Sequence, residues 1–356
     1  MTIEWLAGNR LRGTTAERPA FGLQSPSAGG WVELGRTTLG STGDDITVSS
    51  LSDKRYYMVL ASLPDTGQAN QKIRLGYSSV DSGSNYSWRA STNGGGDSTS
   101  TSDDHMNLTV DAIYDTKFSI GYLSNLSSKE KLTQWWTNER TGVGAGSPPV
   151  RKELVGKWTN TSNPLDVVNF FNSASGSFVT GAEVVVLGWD PADTHTSNFW
   201  EELDSTTTTT SGTIQSGTFT AKKYLMYQIV GKKASGTGTE AGRFQFNGDT
   251  GSNYAQRNSI NGTDYTYTSQ SSMNIGGDGN TAGEMVFLTG FIINNTSTEK
   301  LLLGHSAFGN TAGAGQIGNR GEIACKWANT SAQITSIECM GTTFESGAIM
   351  KIWGAD

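Results

Sequence analysis

The chain states one pattern twice. DSGSNYSWR, from Asp81 to Arg89, returns as DTGSNYAQR from Asp249 to Arg257, an offset of 249 − 81 = 168 positions. KRYYM at Lys54 returns as KKYLM at Lys222, and SNLSSKEKL ending at Leu132 returns as NNTSTEKL ending at Leu301. WVEL at Trp31 reappears as WEEL at Trp200, and KWTNTS at Lys157 as KWANTS at Lys326. GAEVVVLGW at Gly181 reappears as GAIMKIWG at Gly347 after a three-residue slip. Such a period is far above the roughly 20–50 residues of solenoid and propeller arrays, so each copy should be a complete body with its own core. Function then has to arise from a pair of similar bodies.

Divided on this repeat, the 356 residues give an arm (1–30), a first domain (31–190), a linker (191–199) and a second domain (200–356). The two domains are expected to match strand for strand and to pack as a pseudo-symmetric pair. Composition sets the class: 45 glycines, long Ser/Thr tracts and only 17% charged residues favour strands joined by turns over helices. Short apolar runs alternate with turn clusters. In the first copy they include Tyr56 to Ala61, Lys117 to Leu123, Lys131 to Trp136 and Glu183 to Trp189; in the second, Tyr224 to Val230, Glu284 to Ile293 and Ala348 to Trp353. About eight strands per copy with Gly-rich connections suit a jelly roll better than an immunoglobulin sandwich, whose cysteine and tryptophan spacing is absent. The expected fold class is therefore all-β, with two tandem jelly-roll-like β-sandwiches. GGGDSTSTSDD near Gly94 and STTTTTSG near Ser205 read as solvated loops.

Net charge is −7 and the 26 Lys and Arg are scattered, so no basic stripe is offered to a phosphate backbone and nucleic acid is not expected as a direct partner. No apolar run is long enough for a membrane span, and MTIEWLAGNRLRG lacks the layout of a signal peptide. The expectation is synthesis in a host cytoplasm and release by lysis. In the arm, Gly and Pro interrupt any apolar period; it should be an extended segment laid on a neighbouring subunit, anchored by Trp5, Arg10, Arg12 and Arg18.

Motifs that carry chemistry are scarce. His105, His195 and His305 are not aligned by the repeat, and HExxH, CxxC, GxSxG and phosphate-binding glycine loops are all missing, so no catalytic residue, cofactor or metal is expected. Asp190, Asp193 and His195 are close enough in sequence to hold an ion, but read more simply as linker turns. Repeated acids stand out: Asp81 with Asp249, Glu33 with Glu202, Glu130 with Glu299 and Glu153 with Glu322. Each lies beside a turn or a basic residue, which suits a hydrogen bond or ion pair better than a shifted pKa. The DSGSNY element reads as an Asx-type turn, with a ligand loop built on Asp81, Asn85, Asp249 and Asn253 as the other reading. Repeated aromatics, Trp158 with Trp327 and Tyr56 with Tyr224, fit a core better than a sugar-stacking platform. Cys325 and Cys339 flank a turn near Ala328 to Gln333; they are either a disulfide across a hairpin or buried thiols acting as small apolar groups.

The Asn9 to Arg18 stretch, read with WVELGRTTLG and GWDPADTHTSNFWEEL, resembles uncharacterised structural proteins of marine phages and related prokaryotic viruses. That resemblance implies a place in a particle: capsid shell, decoration, or tail and fibre. The function expected is a non-enzymatic virion structural protein that forms a homo-oligomer, a trimer or a lattice, and contacts other virion proteins. The alternatives are a carbohydrate-binding adhesin that meets host-surface glycans and, behind it, a polysaccharide-degrading enzyme.

Overall fold

The computed structural model describes residues 4–6, 10–12, 30–66, 68–109, 116–191, 193, 198–234, 242–276, 283–309 and 317–356, and every regular element among them is a β-strand. In the arm, β1 (Glu4–Leu6) pairs antiparallel with β2 (Arg10–Arg12), placing Trp5 opposite Leu11; Arg18 lies outside the described residues. The first copy holds β3 (Val32–Thr38), β4 (Asp45–Val48), β5 (Tyr56–Pro64), β6 (Lys72–Tyr77), β7 (Ser79–Val80), β8 (Tyr86–Thr92) and β9 (Ser98–Asp103). It continues with β10 (Met106–Asn107), β11 (Thr116–Ser124), β12 (Lys131–Glu139), β13 (Val150–Trp158), β14 (Val167–Phe171) and β15 (Glu183–Trp189). The second copy holds β16 (Glu201–Thr207), β17 (Gly212–Gln215), β18 (Tyr224–Lys232), β19 (Arg243–Phe246), β20 (Tyr254–Ile260) and β21 (Thr263–Gln270). Its remaining strands are β22 (Met273–Asn274), β23 (Met285–Ile293), β24 (Lys300–Gly309), β25 (Gly318–Trp327), β26 (Ile337–Phe344) and β27 (Ile349–Ala355).

Each copy is a sandwich of one large and one small antiparallel sheet. The large sheets run β3-β15-β5-β11-β12-β13-β8-β9 and β16-β27-β18-β23-β24-β25-β20-β21, which is one order under the repeat. The small sheets, β10-β6-β14-β4 and β22-β19-β26-β17, also correspond, and β7 pairs with β6 as an addition in the first copy. The chain passes back and forth between its two sheets in jelly-roll manner. Tight turns follow local chemistry: Asn261 and Gly262, with φ of 52° and 89°, form the two-residue connection from β20 to β21.

Three apolar layers separate the four sheets. One fills the first sandwich, around Tyr57, Val59, Trp135, Phe170 and Val186, and one the second, around Tyr227, Phe244, Leu288, Trp327 and Ile352. The third lies between the outer faces of the two large sheets, where Met58, Leu60, Phe118 and Leu187 meet Tyr224, Met226, Leu303 and Trp353. Burial along single strands shows where this third layer ends. In β11 (TKFSIGYLS) the first six residues are buried on both faces, and exposure begins at Tyr122. In β23 (MVFLTGFII) burial alternates from Met285 and becomes continuous near Ile293. A strand covered on both faces reads as an unbroken apolar run, and one covered on a single face alternates.

Two readings of the sequence need correction. The Ser/Thr tracts are not all loop: Ser98–Asp103 forms the edge strand β9, and Glu201–Thr207 and Gly212–Gln215 form β16 and β17. Threonine is β-branched and suits an edge strand even where no apolar face marks it. Cys325 and Cys339 do not share a hairpin. Cys325 sits on β25 in the large sheet and Cys339 on β26 in the small one, and both are free, buried thiols in the second core.

Candidate functional site at the seam between the copies

Repeat-equivalent residues meet across the third layer. Trp136 pairs with Glu153 in cross-strand register, and His305 with Glu322 at the same positions of the second copy. The rings of Trp136 and His305 pack edge to face at 5.4 Å. The carboxyl groups of Glu153 and Glu322 converge on the same guanidinium, that of Arg151. A residue that touches its own counterpart marks a two-fold axis, so the copies are packed as a pseudo-dimer along this seam.

The carboxyl pair departs from the expectation of an ordinary ion pair. Burial pushes the Glu153 carboxyl up and the Glu322 charge adds to this, against the pull of Arg151. Arg151 lies 3.5 Å from Glu153 and 3.6 Å from Glu322, and Arg320 lies 3.3 Å from Glu322. Burial also holds the His305 ring below its usual pKa, so it is neutral at pH 7.

On one side of the axis the contact is closed. Phe118 packs on Tyr224 at 6.5 Å, both fully buried, and the Tyr224 hydroxyl donates to Glu183 Oε1 at 2.8 Å. Glu183 also takes Lys223 Nζ at 2.9 Å and Arg36 Nη1 at 3.2 Å. Asn138 Nδ2 donates to the carbonyls of Leu302 and Cys325, each at 2.8 Å. Lys326 Nζ, 3.4 Å from Glu299, donates to the Gly142 carbonyl at 2.6 Å.

The equivalent contact on the other side is open. Phe287, counterpart of Phe118, is 46% exposed, and Tyr56, counterpart of Tyr224, is 39% exposed. Val230, Met285, Leu132 and Val155 are exposed nearby on the same two faces. The Lys157–Glu130 pair repeats Lys326–Glu299 at 3.1 Å but stands in solvent. Between the closed and open sides lies a cavity of about 560 Å³ whose walls come from both copies. Trp31, Tyr122 and Trp136 line it from the first copy, and Gln228, Thr289 and His305 from the second.

Other predicted positions fall elsewhere. Asp81 accepts from Gly83 N (2.9 Å), Asn85 Nδ2 (2.9 Å) and Trp158 Nε1 (2.7 Å); Asp249 accepts from Gly251 N (2.9 Å), Asn253 Nδ2 (2.9 Å) and Trp327 Nε1 (2.7 Å). Burial raises these two carboxyls, but the indole, amide and backbone hydrogen bonds outweigh it and both end below the usual range. The turn thus spends its acceptors on the protein itself. In the linker, Asp193 pairs with Lys54 at 2.5 Å and Asp190 lies 4.0 Å from Arg55, while His195 is outside the described residues. Among the described residues Asp103, Asp104 and His105 form one group of metal-ligand type, in which Asp104 is held by Arg74. Glu33 and Glu202 pair with Arg36 and Lys351. Packing of the copies as a pair was expected from the repeat, but which faces form the seam was not; the acids Glu153 and Glu322 were seen as a repeat, with nothing to place them together.

No protein-family model matches the chain, and no curated protein matches it. Among solved structures, the mouse laminin α1 chain domains LG4-5 align over 90% of this chain and 89% of that one, with 10% identity and a TM-score of 0.19. An acyl-CoA hydrolase from Agrobacterium tumefaciens aligns over 62% of this chain and 74% of its own, with 8% identity and a TM-score of 0.16. Similarities at this level establish no common fold.

Proposed function

We propose that the chain is a non-enzymatic structural protein that associates with further copies of itself, as a building block of a viral particle. One observation carries this reading: the molecule uses half of a self-complementary contact and leaves the other half exposed. Phe118 and Tyr224 are fully buried against each other, whereas Phe287 and Tyr56, the same residues of the repeat, do not meet and are exposed, Tyr56 stacked on Trp189, with Val230, Met285 and Leu132 also exposed. Exposed apolar groups that already have a proven partner surface within the same chain favour a second copy as the occupant. Burying a phenylalanine or a comparable side chain gains about 1.5–3 kcal/mol, so a few such residues suffice for association. The low charged fraction, 17% of residues, suits close contacts between copies with few charges to desolvate.

Sedimentation velocity across micromolar concentrations tests the reading. Association that is weakened by Phe287→Ser and by Tyr56→Ser, with unfolding midpoints unchanged, is the expected result. A monomer at all concentrations, or association indifferent to both substitutions, would defeat it. Mass spectrometry of purified virions, with copy number per particle, tests the particle role separately.

A further inference from the structure

The cavity between the copies is mostly apolar, with Met226, Phe291, Leu303 and Trp353 of the second copy in its lining, and it carries one polar row that departs from the repeat's own pattern. Cross-strand register sets Gln228, Thr289 and His305 side by side on β18, β23 and β24. The same three positions of the first copy are Leu60, Ile120 and Trp136, also side by side. Adjacent strands lie about 4.8 Å apart, so amide, hydroxyl and imidazole form a polar row about 10 Å long. Exposure does not explain the row. The next row outward on the same strands, Val230, Phe287 and Ala307, is apolar although exposed. Polar groups have therefore replaced apolar ones at the cavity, where the repeat has room for Leu, Ile and Trp.

Among the described residues, no Asp, Glu, Lys or Arg lines the cavity. A charged ligand would be left without a counter-charge there, at a large desolvation cost. Aromatic rings of the first copy, Trp31, Tyr122 and Trp136, also line the cavity, Trp136 in edge-to-face contact with His305 at the end of the row. The cavity's volume of about 560 Å³ falls within the range of about 300–1,000 Å³ for small-molecule sites, which favour domain interfaces and combine an apolar lining with a few polar groups. A ligand matching these walls is uncharged, has an apolar face and carries hydroxyls along one edge.

We propose that this cavity binds a neutral saccharide of one or two rings, its C–H face against Tyr122 and Trp136 and its hydroxyls bonded to Gln228, Thr289 and His305. The site does not depend on self-association, and either reading can fail alone.

The test titrates the full chain with cellobiose, maltose, lactose, xylobiose and N,N′-diacetylchitobiose, read by tryptophan fluorescence and saturation-transfer NMR. At least one probe should bind saturably to the native chain. The variant Gln228→Leu/Thr289→Ile/His305→Trp, which restores the repeat's own apolar row, should keep its circular dichroism spectrum and lose affinity by at least about tenfold. Should that variant fail to fold, Gln228→Leu and Thr289→Ile singly should each weaken binding several-fold. Absence of binding by every sugar overturns the proposal, as does equal binding by the variants. Uptake of the uncharged apolar probe N-phenyl-1-naphthylamine with none of the sugars would also overturn it, and would assign the cavity to an apolar ligand.

Discussion

The two sandwiches fill one place in their cores from opposite sides of the same glycine. In the first, Val59, Gly121 and Trp135 lie in cross-strand register, and the Trp135 ring lies over Gly121, where a β-carbon would come within 2.3 Å of it. In the second, the same three positions are Tyr227, Gly290 and Gly304, and now the tyrosine on the other neighbouring strand covers both glycines. The large ring has moved from β12 to β18 while the volume it fills has stayed. Both rings pay alike, since Trp135 Nε1 and the Tyr227 hydroxyl are buried without a hydrogen-bond partner among the described residues. What the repeat preserves is therefore the space and the strand order, not the residue that fills the space.

The strongest attempt to break this comparison exchanges the two solutions. Trp135→Gly should cost about 3–5 kcal/mol as a core cavity, and Val59→Tyr alone about 1–3 kcal/mol by overpacking. Together they should recover at least about 1 kcal/mol of the summed loss, read by urea denaturation as a double-mutant cycle. Additive losses would mean that the two packings are not interchangeable.

Next in size is the ion pair that occurs buried in one copy and exposed in the other. Lys326→Met should destabilise by about 3 kcal/mol, because Glu299 would lose a buried cation. Lys157→Met should stay within about 1 kcal/mol of the native chain, because its partner Glu130 is solvated. Equal effects would deny that the seam, rather than the local sandwich, sets the value of this pair.

Where the copies agree, so should the measurements. Trp158→Phe and Trp327→Phe each remove an indole donor from a carboxylate, at about 1.5–3 kcal/mol apiece near neutral pH. Both carboxyls are lowered by folding, so this stability is present above the unfolded value near 3.9 and is lost as pH falls through the folded value. The two substitutions should then converge on the native chain in acid, and a pH-independent penalty would count against carboxylate bonding. The smallest effect belongs to the seam. Glu153 is raised by folding, so its favourable state holds below about pH 4.3 and is lost as pH rises through the folded value. Glu153→Gln should be up to about 1 kcal/mol more stable than the native chain at pH 8 and no more stable at pH 4.

Much of the fold was legible because apolar runs such as YYMVLASL at Tyr56 and the repeat itself survive in one dimension. The strand β9 was not, since Ser and Thr exposed on both sides leave no alternation to read, and β16 and β17 each turn only one apolar residue, Leu203 and Ile214, to the core. A trace of the seam does exist. YLMYQIVGK starts as a continuous apolar run and turns to alternation at Gln228, which is where the covering sheet ends. Which face would meet which, and hence that Glu153 and Glu322 would come together, depends on packing between segments 169 residues apart (322 − 153 = 169), which no local pattern encodes.

The meeting of Trp136 with His305 has a genetic consequence. Two separate subunits related by a true axis carry every substitution twice, so Trp would face Trp and both walls of the space between them would always change together. Joined in one chain, the halves can be altered one at a time, while the linker of 199 − 190 = 9 positions keeps them at high effective concentration without a dimerisation cost. A tandem chain can thus keep one wall as an aromatic surface and convert a row of the other, Leu60 to Gln228 and Ile120 to Thr289, into a polar one. Unlike neighbours across a nearly symmetric boundary are the product of that freedom.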